Sequence, residues 1–160
     1  MTARVFRAGG LLLLWAVSCA AAANVAVPAN WIEVAADGKF SVMAPPGTTF
    51  ARSAGIDSFT GVFNAPGFAV HVDFGAHVDP LERGAGKTQY LTREVTVDGK
   101  PAKLVTARSR TGKRAYFIGL HVGELRRSAI GPVGLTLTST LAREQDCAAV
   151  ESLYLSLRFK

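Results

Sequence analysis

The sequence predicts an α+β domain, an antiparallel β-sheet of about six to eight strands with a C-terminal amphipathic helix packed on one face. Three observations carry that expectation. Asp37-Gly38 and Asp98-Gly99 each sit between runs of strand-forming residues, the signature of a tight hairpin. Phe68, Val70, Val72 and Phe74 alternate with Ala69, His71 and Asp73, the period of a half-buried strand. From Arg143 to Tyr154 the period changes. Cys147, Val150, Leu153, Tyr154 and Leu157 recur at helical spacing. Hairpin-linked strands pair antiparallel, and a helix laid on such a sheet gives the α+β class.

The elements follow in order. Trp31 to Val34 and Phe40 to Met43 are the arms of the first hairpin, and Pro45-Pro46-Gly47 stops the second arm because proline donates nothing to a ladder. Thr48 to Ile56 is a connection of undefined shape. Asp57 to Asn64 and Phe68 to Phe74 are strands around a Pro66-Gly67 turn. Gly75 to Gln89 reads as loop or weak helix, since its three glycines oppose a long helix. Leu91 to Val97 and Ala102 to Arg108 flank Asp98-Gly99, and Thr111-Gly112 turns the chain into the strand Ala115 to Val122. Val133 to Leu141 is a further strand, with its leucines expected inward and its threonines outward. After the helix, Leu155 to Phe159 alternates again and can finish as a short strand.

Residues 1–23 have the layout of a secretory signal peptide. Arg4 and Arg7 are the basic head, Leu11 to Val17 the apolar run, and Ala21 and Ala23 an A-x-A site for cleavage before Asn24. The apolar run is too short for a spanning helix, which needs about 20 such residues. Trp15-Ala16-Val17-Ser18-Cys19 also resembles a lipobox. Its cysteine would be acylated after cleavage before Cys19, and that alternative stays open beside ordinary cleavage or an uncleaved anchor. Residues 24–160 then form a single globular domain at an exported site, the periplasm or beyond, free or tethered as a lipoprotein. Losing two arginines and no acid lowers the formal charge from +6 to +4. The remaining basic residues are interleaved with strands instead of gathered on one helix, which argues against a nucleic-acid partner. Cys147 is left without a disulfide partner in either mature form and reads as a buried small hydrophobe.

The segment W-x-E-x-x-x-D-G-x-F-S-V-M from Trp31 to Met43, with Pro45-Pro46-Gly47 after it, and the end from Val150 to Phe159, a helix running into S-L-R-F, resemble small exported bacterial proteins of the PsbP-like fold, DcrB-like lipoproteins among them. The resemblance covers about 25 residues at the two ends. It implies an antiparallel sheet flanked by helices and an accessory or assembly role without catalytic residues.

Candidate chemistry is sparse. His71, Asp73 and His77 supply two imidazoles and a carboxylate close in sequence, ligand types suited to Zn²⁺ or Cu²⁺. Asp79 follows them, and His121 joins if its strand is a neighbour. Arg108, Arg110, Lys113 and Arg114 crowd the third hairpin tip, a basic patch for a membrane surface or another envelope protein. Arg126 and Arg127 extend the patch if both turns lie at one end of the sheet. Gly84-Ala85-Gly86-Lys87-Thr88 lacks the first glycine of a phosphate-binding loop, since Leu81 stands there, so no nucleotide is expected. No G-x-S-x-G nucleophile occurs and the carboxylates are scattered. The function expected is a non-enzymatic binding or accessory protein with no cofactor. The alternative is a metal- or small-ligand-handling protein working through the His71/Asp73/His77 region.

Overall fold

The computed structural model describes residues 26–55, 57–82, 87–109, 116–129 and 131–160. The described residues are mostly antiparallel β-sheet with one short C-terminal helix. The strands are β1 (Ile32–Ala36), β2 (Phe40–Ala44), β3 (Thr49–Ser53), β4 (Phe59–Ala65), β5 (Phe68–Gly75), β6 (Lys87–Val97), β7 (Lys100–Ser109), β8 (Tyr116–Ser128), β9 (Gly131–Leu141) and, after the helix α1 (Asp146–Leu155), β10 (Arg158–Phe159). They form two sheets where the sequence suggested one. A three-stranded sheet runs β1-β2-β10, and a seven-stranded sheet runs β3-β4-β5-β9-β8-β7-β6. The chain from β9 returns through α1 to β2, so Phe159 pairs with Phe40 and Arg158 with Ser41.

Local chemistry explains the turns. Asp98 and Gly99 take φ of 49° and 73°, the left-handed pair of a two-residue hairpin, and Asp37 and Gly38 take 44° and 69° in a three-residue loop that ends at Lys39. Glycine adopts this at no steric penalty and aspartate at a small one. The connection Thr48 to Ile56 contains an edge strand that alternation could not reveal. Only Phe50 of β3 packs inward, stacked on Phe59 at 5.8 Å and against Phe63 at 4.9 Å, while its neighbours are exposed.

The core lies on one side of the large sheet. Val72, Leu104, Leu120 and Leu137 form one row of it, joined by Phe40 and Val42 from the small sheet. Val150, Leu153, Tyr154 and Leu157, four of the five positions at helical spacing, are fully buried in the same cluster, and Cys147 is half-buried against it. Ser152 and Ser156 are buried too, so the apolar stripe of the sequence is a broader buried surface. The buried hydroxyls of Tyr154 and Ser156 have partners, as burial demands. The Tyr154 hydroxyl donates to the Ile118 carbonyl at 3.2 Å. The Ser156 hydroxyl donates to Leu153 and accepts the Met43 amide at 2.8 Å. Arg93 of β6 pairs with Glu151 of α1.

The opposite side of the large sheet is also partly covered, and Thr136 corrects the outward reading of the β9 threonines. It is 3% exposed. The segment Val78 to Glu82, in the stretch read as loop or weak helix, crosses this face as an irregular strap. A Cβ added at Gly134 would stand 2.9 Å from Val78 Cγ2, and one added at Gly119 would stand 2.8 Å from Leu81 Cδ1. Both glycines are therefore notches into which the strap side chains fit. Leu81 is 1% exposed there.

Candidate functional site

Antiparallel register places directly opposed residues on one face. Along one register line of the seven-stranded sheet every residue is polar. Ser53 faces Thr60, Thr60 faces Asp73, Asp73 faces Thr136, Thr136 faces His121, His121 faces Lys103, and Lys103 faces Glu94. This rung lies on the side away from Leu137 and Leu120, beneath and beside the strap.

The strap is fastened to the rung. The Thr136 hydroxyl donates to the Asp79 carbonyl at 2.7 Å. His121 Nδ1 lies 3.0 Å from the same hydroxyl oxygen. Because the Thr136 proton is already committed to Asp79, Nδ1–H is the donor of that contact, which fixes the neutral ring as the Nδ1–H tautomer. Lys103 Nζ reaches Glu82 at 3.4 Å, and the Tyr90 hydroxyl donates to the Leu81 carbonyl. Asp79 Oδ1 accepts the Leu81 amide at 2.8 Å, closing a local turn that holds Leu81 at φ 56°. Burial, with the Glu82 and Asp79 carboxylates behind it, pushes the Tyr90 phenol up. Asp73 Oδ1 is buried with no hydrogen-bond partner among the described residues.

Burial lowers the His121 pKa from its ordinary 6.5, and Lys103 lowers it further, against the opposing pull of Asp79 and Glu82. Above pH 6.5 the ring is neutral in both the folded and unfolded chain, and the stability is fully present. Below that value the unfolded chain binds the proton first. Stability is then lost as pH falls, until the lower native pKa is passed. The urea midpoint is expected to decline from about pH 6.5 downward. His121→Gln should flatten that decline, and an unchanged slope in the variant would assign it to other groups.

The structure does not gather His71, Asp73 and His77 into a metal centre. Among the described residues no three His, Cys, Asp or Glu side chains are grouped to hold an ion. His71 belongs to the adjacent rung, opposite Val62 and Thr138, and is exposed. His77 is exposed in the turn after β5. His121 shares the rung with Asp73, but Thr136 stands between them. The physical reason is the spacing of a ladder, in which side chains two strands apart lie about 10 Å apart.

The basic tip divides differently from its sequence order. Arg108 pairs with Glu144 at 3.0 Å and covers the Tyr116 ring at 4.9 Å, so part of its charge is met. Arg110, Lys113 and Arg114 lie outside the described residues, as do Cys19 and the phosphate-loop-like glycines. Arg126 and Arg127 do not extend this tip. They lie at the far end of β8 from Tyr116, about 33 Å along an extended strand. Sequence reading missed Thr136, Leu81 and the strap. The available signal was Gly119 and Gly134 inside strand patterns, where an isolated glycine marks close approach of another segment.

Burial, followed by Glu144, Asp146 and Glu151, pushes the Cys147 thiol up, away from the reactive thiolate. No helix among the described residues is long and apolar enough to cross a membrane. No family model and no curated protein matches the chain.

Proposed function

We propose that this chain is an exported, non-enzymatic binding or accessory protein of the PsbP-like kind, its leader either cleaved before Asn24 or replaced by a lipid on Cys19. The observation that carries this reading is the layout of residues 1–23: the basic head Arg4 and Arg7, the apolar run Leu11 to Val17, and the A-x-A site at Ala21 and Ala23. A binding role draws support from the rung. Thr136, His121, Lys103 and Glu82 are engaged in holding the strap, an arrangement that fixes structure. The family reading draws support from β2 and β10, because the two resembling segments are hydrogen-bonded to each other. In this reading the helix covers the core side of the seven-stranded sheet and leaves the strap side and the rims for a partner, a membrane surface or another envelope protein.

Intact-mass analysis of the protein from its envelope fraction tests the reading. A chain starting at Asn24, or at Cys19 with a diacylglyceryl mass, is expected. A full-length chain confined to the cytoplasm would overturn it. For the membrane branch, glutamine at Arg108, Arg110, Lys113 and Arg114 should weaken binding to anionic vesicles, by about 1 kcal/mol per residue at the surface. Unchanged binding would remove the tip from the account.

A further inference from the structure

At the rim where the two sheets meet, a groove of about 260 Å³ is lined by Gly38, Lys39, Phe74, Lys100, Leu125, Arg126, Phe159 and Lys160. Its composition is sharply divided. Phe74, Leu125 and Phe159 give a half-buried apolar floor, and Lys39, Lys100, Arg126 and Lys160 surround it. No Asp or Glu lines the groove, and among the described residues none of the four cations is ion-paired. The nearby carboxylate of Asp98 is already occupied, accepting the Phe159 amide at 2.9 Å with Arg158 Nε at 3.9 Å.

Five parts of the chain meet at this site, with Phe74 from β5 and Phe159 and Lys160 from β10 and the residue after it. The β1–β2 hairpin turn brings Lys39, whose carbonyl accepts the Lys160 amide at 3.2 Å. The β6–β7 hairpin turn brings Lys100, with Nζ 5.8 Å from the Phe159 ring centre. An irregularity in β8 brings Leu125 and Arg126. Val122 opposes Leu135 and Arg126 opposes Val133, so β8 carries extra residues there, with Glu124 at φ 25°. Such a bulge re-aims side chains at a sheet rim. Four cations lining one groove, with Asp98 the nearby carboxylate, repel one another in part, a cost that an anion relieves.

We propose that this groove binds a small anionic amphiphile, a carboxylate or phosphate head on an apolar body, as a free molecule. The cations would hold the head and the three apolar side chains the body. The volume corresponds to about nine waters at ~30 Å³ each, which limits the body to a short chain or one ring. The inference is independent of the export reading, since it rests on the rim residues alone.

The test is an NMR titration of the purified protein with octanoate below its micellar range. Saturable shifts at the amides of Gly38, Lys39, Leu125, Arg126 and Phe159 are expected, with none from octyltrimethylammonium. Lys100→Gln with Arg126→Gln should weaken octanoate binding at least about tenfold, the scale of losing one charge-assisted hydrogen bond, while the circular-dichroism melt shows the fold intact. Octyl phosphate should bind the same residues. The proposal is overturned if octanoate leaves these amides unmoved, if the cationic amphiphile shifts them equally, or if the double variant binds octanoate as before. Shifts seen only with anionic phospholipid vesicles would equally overturn it, by making the groove a membrane contact. Inorganic phosphate should shift these amides far less than octyl phosphate, and an equal response would overturn the role of the apolar floor.

Discussion

Leu81→Ala is expected to destabilise the protein by about 2–5 kcal/mol, a large share of the ~5–15 kcal/mol typical of a folded domain. Leu81 is the deepest side chain of the strap and rests over Gly119, where no Cβ competes for space. Truncation leaves a void the glycine cannot fill. The consequence reaches the rung, since the Leu81 carbonyl accepts from Tyr90 and its amide donates to Asp79. With the strap loosened, water reaches His121 and its pKa should rise toward 6.5. Urea unfolding and NMR titration of the ring read both effects. Leu81→Met should cost under about 1.5 kcal/mol and leave the ring in place. A loss below about 0.5 kcal/mol in the alanine variant, with the His121 titration unmoved, would show that the strap is held from elsewhere.

Phe40→Ala is expected to be comparably severe, about 3–5 kcal/mol. Phe40 belongs to the small sheet but its ring meets the large one. It lies edge-on to Phe63 at 6.2 Å and tilted to Phe74 at 6.4 Å, and is fully buried. Aromatic pairs of this kind add about 0.5–1.5 kcal/mol beyond the area they bury. Its removal should act unevenly. Amides of β1, β2 and β10 should lose hydrogen-exchange protection before those of β7, β8 and β9, because Phe40 is the largest fully buried side chain that the small sheet contributes to the shared core. Uniform loss across both sheets would mean that the two unfold as one unit.

These two residues differ in how far the sequence announced them. Phe40 sits in an alternating run beside a hairpin turn, and its strand was readable from those local features. The same holds for β5, for the Asp98-Gly99 hairpin and for the helical spacing of Val150, Leu153 and Leu157. Leu81 sits in a glycine- and proline-containing stretch with no period. Its burial depends on Gly119 and Gly134, far along the chain, so no window around Leu81 contains the cause. Among the described residues His71, Asp73 and His77 are not grouped, since Asp73 is half-buried on the rung while His71 and His77 are exposed. Register gave Asp73 the neighbours Thr60 and Thr136 instead. The sequence joined Arg126 to the basic tip only on condition that both turns lie at one end of the sheet, and the length of β8 carries it to the opposite rim.

By itself the sequence determined what is local: the turns, which demand glycine or aspartate at positive φ, the strands with one apolar face, and the C-terminal helix. The tertiary structure alone decided which strands are neighbours. It made two sheets from one alternating pattern by pairing Phe40 with Phe159, aligned a polar rung across seven strands, and gathered Lys39, Lys100, Arg126 and Lys160 around one groove. The reason is physical. Backbone propensity and side-chain period act over a few residues, whereas the partner of a strand is chosen by burial and register between segments whose separation in the chain carries no signal.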